Sequence, residues 1–96
     1  MDSRQGFAKS LRTIRTAKGL TQEDFSSVSS RTYLSTLERG LKSPTLDKIE
    51  ALCETMEVHP LSLLVLTYLN TQKNKRLDTL LNKIETEVKA LQLKHP

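Results

Sequence analysis

Residues 19–40 read GLTQEDFSSVSSRTYLSTLERG, and the parsing of this stretch decides the fold. Gly19 is a natural terminator for the amphipathic run that precedes it. Thr21, followed by Gln22, Glu23 and Asp24, has the form of a capping box: a hydroxyl at a helix start with an acidic side chain three positions on. This predicts a short second helix ending near Ser27. Ser26-Ser27-Val28-Ser29-Ser30 reads as a serine-rich turn that caps a third helix. Leu34 and Leu37 face inward there, and Gly40 stops it.

Working outward, Phe7, Leu11 and Ile14 fall at i, i+4 and i+7, one stripe of a helix over about 5–18. Pro44-Thr45 starts a fourth helix with Leu46, Ile49, Leu52 and Met56 as its buried stripe. Leu11, Leu34 and Leu46 are expected in the core. His59-Pro60 starts a fifth helix, since proline is favoured in a first helical turn, and Leu61, Leu64 and Val65 are expected to complete the core. No segment alternates apolar and polar residues with the two-residue period of a strand. The expected fold class is all-α, with five short helices in residues 1–70.

Residues 71–96 follow a different pattern. After the polar stretch 70–76, apolar residues recur at Leu77, Leu81, Ile84, Val88 and Leu91, spacings of 4, 3, 4 and 3 that make a heptad seam widened by Leu80. A seam of two heptads is marginal alone and needs something to pack on. It is expected to serve dimerisation, with folding back onto the chain's own domain as the alternative.

Composition bounds the function. The chain has 96 residues, 36% hydrophobic and 27% charged, with net charge +4, which supports one small domain with an appended helix. The longest apolar run is Leu63–Leu66, far short of a membrane span, and residues 1–5 lead into a charged amphipathic pattern with no apolar signal core. A single cysteine, Cys53, permits no internal disulfide and fits a reducing compartment; it is read as a buried small hydrophobe. A cytoplasmic location is expected. Residues 1–42 carry eight Lys/Arg against four Asp/Glu, residues 43–70 one against four, and residues 71–96 six against three. A basic first half over an acidic middle can orient a protein on a polyanion.

The order of motifs resembles the Cro/repressor-type helix-turn-helix family, also called Xre-like or lambda-repressor-like. The residues that carry the resemblance are Leu11-Arg12 and Arg15, Gly19-Leu20-Thr21-Gln22-Glu23, and Tyr33-Leu34-Ser35 with Leu37-Glu38-Arg39-Gly40. Ser43-Pro44-Thr45-Leu46 with Ile49, and Val58-His59-Pro60 with Leu63-Leu64, continue it. The resemblance covers about two thirds of the chain. The stretch from Thr21 to Gly40 is compressed relative to the family's usual span and lacks its turn glycine.

What the resemblance implies is a helix whose start enters a DNA major groove. Gln22 matches a glutamine that braces a phosphate. Ser30, Arg31 and Thr32 open the reading helix at positions that reach base edges, where Arg can grip guanine and Thr a thymine methyl. Tyr33 and Ser35 lie on or beside that face. Arg39 and Lys42 flank Gly40 at positions suited to phosphate. Arg15 and Glu38 match a structural ion pair tying the first helix to the third.

The resulting expectation is a sequence-specific DNA-binding transcriptional regulator, a repressor sooner than an activator, binding an inverted-repeat operator on double-stranded DNA as a homodimer in bacteria. The alternatives are an antitoxin or restriction–modification controller, and, from another class, a helical protein-interaction module without DNA binding. No enzyme is expected: His59 and His95 are far apart, no cysteine–histidine cluster has zinc spacing, and no glycine-rich phosphate loop exists. No catalytic residue, metal, cofactor, small-molecule ligand or membrane partner is expected.

Overall fold

The computed structural model describes residues 2–94; Met1, His95 and Pro96 lie outside the described residues. The elements in order are α1 (Ser3–Ala17), a 3-10 turn (Gln22–Phe25), α2 (Arg31–Glu38), α3 (Leu46–Met56), α4 (Pro60–Thr71) and α5 (Leu77–Lys94). No strand occurs among the described residues, and the all-α expectation holds.

Helices α1 to α4 each start where a side chain accepts from an otherwise free amide. Asp2 accepts from the Gln5 N–H at 2.9 Å, Ser30 from Tyr33 at 3.1 Å, Thr45 from Lys48 at 3.1 Å, and His59 Nδ1 from Leu61 at 3.0 Å. The His59 ring is thereby accounted for as a cap. The ends of α1, α2 and α3 share one geometry, in which a residue at positive φ lets its own amide and the next one close back on the last turn. At the end of α1, Gly19 (φ 70°) and Leu20 donate to the Thr16 and Arg15 carbonyls, both at 3.0 Å. At the end of α2, Gly40 (φ 73°) and Leu41 donate to Leu37 and Thr36, both at 3.1 Å. At the end of α3 the same role falls to Glu57 (φ 57°), whose side chain must tolerate a left-handed backbone.

The expected second helix is a correction. It is a single 3-10 turn, held at its start by the Thr21 amide donating to Asp24 Oδ2 at 2.7 Å. The capping signal is real, but the element it opens has only four residues, the last of which, Phe25, is drawn fully into the core. Five residues, 26–30, then make the turn into α2.

The core is formed by Phe7 and Leu11 of α1, Phe25, Leu34 and Leu37 of α2, Ile49, Leu52, Cys53 and Met56 of α3, and Leu63 of α4. Burial pushes the Cys53 thiol up to about 11, so it stays neutral. Two expected core assignments fail. Leu46 is 66% exposed: helical side chains lean toward the N-terminus, so at the first position of α3 it leans off the edge of the domain. Leu61 is 60% exposed, and Leu64 and Val65 are only half-buried; Leu63 is the fully buried residue of α4. The segment 61–69 is apolar almost all round, so its stripe does not specify which side faces in.

Contact with α1 settles that side. A Cβ at Gly6 would sit 2.7 Å from the Thr67 main-chain carbonyl oxygen, so α1 and α4 cross backbone to backbone there with no room to spare. One turn on, the buried Ser10 hydroxyl donates to the Gly6 carbonyl at 2.8 Å and accepts from Asn70 Nδ2 at 2.8 Å. No buried side-chain nitrogen or oxygen among the described residues lacks a partner.

Two substitutions should move stability in opposite directions in urea unfolding. Gly6→Ala gains helix propensity but overpacks the crossing, for a net loss on the order of 1–2 kcal/mol. Glu57→Gly relieves the left-handed strain and should gain about 0.5–1 kcal/mol. A Gly6→Ala protein as stable as the wild type would mean that α4 can slide away.

Candidate nucleic-acid interface

Eight residues make α2 about 12 Å long at 1.5 Å per residue. Its inner face is Leu34, Leu37 and Glu38. At its start Arg31 and Thr32 are exposed, and just past its end Arg39 and Lys42 are exposed. The outer face thus carries cations at both ends, with Ser35 half-buried between them.

The carboxylate of Glu38 holds α2 in place. Arg15 meets it with two donors, Nε to Oε2 at 2.6 Å and Nη2 to Oε1 at 3.0 Å. The third Arg15 nitrogen donates to the Leu20 carbonyl at 2.9 Å. Gln22 Nε2 donates to the same Oε1 at 3.2 Å. Arg12 donates to the Glu38 main-chain carbonyl at the C-terminus of α2, where a cation is favourable. The side chains of Glu38 and Arg15 are 4% and 18% exposed, and the hydrogen bond and charge of Glu38 push the Arg15 guanidinium above its ordinary value. Beyond α2, Arg4 reaches the Leu41 carbonyl at 3.4 Å.

The sequence-derived residues fall into three groups. Arg31, Thr32, Arg39 and Lys42 stand exposed; Arg31 makes only a long contact with Glu23 at 3.9 Å, between two well-solvated groups. Gln22 and Ser30 are engaged internally, the first on Glu38 and the second as the cap of α2, although the Gln22 amide keeps a second N–H for an outside acceptor. Tyr33 is half-buried against the core, with Lys48 Nζ 5.4 Å from its ring centroid. Sequence reasoning assigned no role to Arg12 or Lys48. Arg12 precedes Arg15 by three positions, so both share one face of α1, and that spacing was the available signal. Lys48 comes from α3 and left no local signal. Among the described residues, no three His, Cys, Asp or Glu side chains gather as metal ligands.

The seam residues Leu77, Leu81, Ile84, Val88 and Leu91 are between 39% and 58% exposed, and no residue of α5 is buried. A groove of about 660 Å³ runs between α1, α4 and the start of α5, lined by Ile14, Ala17, Val58, Leu61, Val65, Leu69, Leu77 and Leu81 among others. Beside it, and sharing Leu61 and Val65 with it, a smaller cleft is lined by Leu64 and Tyr68 of α4 and by Leu80 and Ile84 of α5.

The family whose model matches this chain is described as helix-turn-helix, and the match runs over residues 11–63. Among solved structures, the restriction-modification controller protein C.AhdI from Aeromonas hydrophila is 34% identical over 62% of this chain and 94% of that chain, with a TM-score of 0.59. The restriction-modification controller protein C.Esp1396I, solved as a tetramer in complex with its natural 35 base-pair operator, is 25% identical over 73% of this chain and 95% of that chain, with a TM-score of 0.64. The clp gene regulator ClgR from Corynebacterium glutamicum is 23% identical over 100% of this chain and 97% of that chain, with a TM-score of 0.70, a likeness of fold. No curated protein matches the chain.

Arg15→Met strands the Glu38 carboxylate in a buried site and should cost about 3–5 kcal/mol in urea unfolding. Adding Glu38→Leu should recover a large part of that loss, since an apolar pair strands no charge. A single Arg15→Met variant as stable as the wild type would show that Glu38 reaches solvent.

Proposed function

The chain belongs to the helix-turn-helix family of DNA-binding transcription regulators, and from that membership we propose that it binds an inverted-repeat operator as a homodimer in the bacterial cytoplasm, with repression as its effect. The observation that carries this reading is the face of α2. Arg31 and Thr32 are exposed at the start of a helix that Arg15, Gln22 and Arg12 clamp from behind. A side chain that reads bases must be held while its tip stays free, and Arg31 meets both conditions. Arg31 and Thr32 are assigned to base edges. Arg39, Lys42 and the spare N–H of Gln22 are assigned to phosphates, with Ser30, Tyr33 and Ser35 close to the duplex.

The second copy is assigned to the apolar seam of α5 and the groove beside α4. The large apolar side chains Leu61, Tyr68, Leu77, Leu81, Ile84, Val88 and Leu91 are exposed on α4 and α5, and apolar surface of this kind suits contact with a partner. Pairing through it would set two α2 helices one DNA turn apart, about 34–36 Å. Residues 1–70 then act as the DNA-binding domain and residues 71–96 as the dimerisation helix. A restriction-modification controller is the second reading, favoured by the 34% identity to C.AhdI.

Binding to genomic fragments, the protein's own promoter included, across a salt series tests the proposal. A footprinted site whose affinity falls with salt is expected. Arg31→Ala should relax preference at one base by about 1–3 kcal/mol; a loss uniform across sequences would make Arg31 a phosphate contact. Ile84→Glu should give monomers in sedimentation and weaken the footprint, whereas dimers that persist would move the interface elsewhere.

A further inference from the structure

The turn that delivers α2 is built from Ser26, Ser27, Val28, Ser29 and Ser30, small side chains with neither proline nor glycine to stiffen or specify it. Its own hydrogen bonds are local: the Val28 and Ser29 amides both donate to the Phe25 carbonyl at 2.9 Å. Three of its five residues are exposed. Among the described residues, one hydrogen bond reaches this turn from a distant element. Lys48 Nζ, on the first turn of α3, donates to the Val28 carbonyl at 2.6 Å. The same ammonium lies 5.4 Å from the centroid of the Tyr33 ring, within the range in which a cation is attracted to an aromatic face. Lys48 is half-buried, and its own amide is fixed by the Thr45 cap at 3.1 Å. One ammonium thus ties together the middle of the turn and the third residue of α2, from a helix that is itself packed into the core.

Glu38 fixes α2 at its far end; the near end carries Arg31 and Thr32. Val28, Ser29 and Tyr33 pack that end against the core and Ser30 caps it, but among the described residues Lys48 makes the one hydrogen bond that ties the turn to a distant element; the Glu23–Arg31 contact is long and solvated. We infer that Lys48 is a specificity-determining positioning residue, which sets the aim of the reading residues by holding the Val28 carbonyl and the Tyr33 ring. The inference rests on the DNA-binding reading above. It separates Lys48 from Arg39 and Lys42: its charge is directed inward onto a carbonyl and a ring, so its contribution is to discrimination between sequences and not to general attraction for phosphate.

The test compares Lys48→Met, Lys48→Gln and Lys48→Arg with the wild type. The readouts are the ratio of affinities for the footprinted fragment and for random DNA, the salt slope, and amide hydrogen exchange over 28–33 in the free protein. Lys48→Met keeps the apolar stem and removes the donor and charge. It should lower the affinity ratio on the order of tenfold, speed exchange over 28–33, and leave the salt slope unchanged. Lys48→Arg, which can donate to the carbonyl and stack on the ring, should restore the ratio. Should Lys48→Met fail to fold, Lys48→Gln, which keeps an N–H for Val28 without the charge over Tyr33, should give an intermediate ratio. An unchanged ratio in a folded Met or Gln variant overturns the inference. So does a uniform loss on all DNA with the salt slope reduced by about one unit, which would make Lys48 a phosphate contact. A wild type with no preferred fragment would sink the regulator reading itself, and the specificity role with it.

Discussion

A carboxylate placed at the last residue of a short helix and removed from water is the constraint on which the rest of the molecule depends. Glu38 is almost fully buried, and a buried charge is tolerated only when opposite charge and hydrogen bonds surround it. Here those partners come from α1 through Arg15 and from the 3-10 turn through Gln22, and Arg15 ties in the loop between them by also donating to the Leu20 carbonyl. Rotating α2, lifting the 3-10 turn or sliding α1 breaks the same cluster. The geometry between these elements is therefore close to all-or-none, and that stiffness is what a helix needs if its outer face is to read a fixed surface.

The other half of the domain is organised by steric closeness. Gly6 lets α4 cross α1 at a distance that any side chain would prevent, and Ser10 and Asn70 register the crossing by hydrogen bonds. With α4 turned so that Leu63 and Thr67 face α1, its remaining apolar residues, Leu61, Val65 and Tyr68 among them, are left on the outside. They line grooves that the start of α5 only partly covers. One segment thus serves the core on one side and presents a bare apolar surface on the other, opposite in kind to the charged and hydroxyl-bearing face of α2. The two functions assigned to the chain, contact with DNA and contact with a second copy, fall on these separate surfaces.

Much of the architecture was legible in the residues. Thr21, Ser30, Thr45 and His59-Pro60 mark starts, and Gly19 and Gly40 mark ends, because capping involves only neighbours in the chain. The Arg15–Glu38 pair was reached by resemblance and is present. What was misread has a common cause. Four residues after a sound capping signal were not enough for an α-helix, since burial of Phe25 ended the element early. Leu46 and Leu61 have the periodic positions of core residues, but Leu46 lies at the exposed start of α3 and Leu61 lies where the start of α5 gives only partial cover. The end of α3 at Glu57 carries no sequence mark, because a left-handed glutamate is imposed by the surrounding packing.

The candidate interface divides along the same line. The residue types at the start and end of α2, and the order of motifs around them, were determined by the sequence alone, as were the helical periods and the heptad seam after residue 76. Which side of α4 is core, which carboxylate Gln22 shares with Arg15, that Arg12 caps the end of α2, and that Lys48 crosses from α3 to grip the turn were decided only by the tertiary structure. Local hydrogen bonds and periodicity depend on spacings of a few residues and can be read along the chain. The aim of a helix is set by side chains brought together from positions twenty or more residues apart, and no spacing within one element encodes where those will meet.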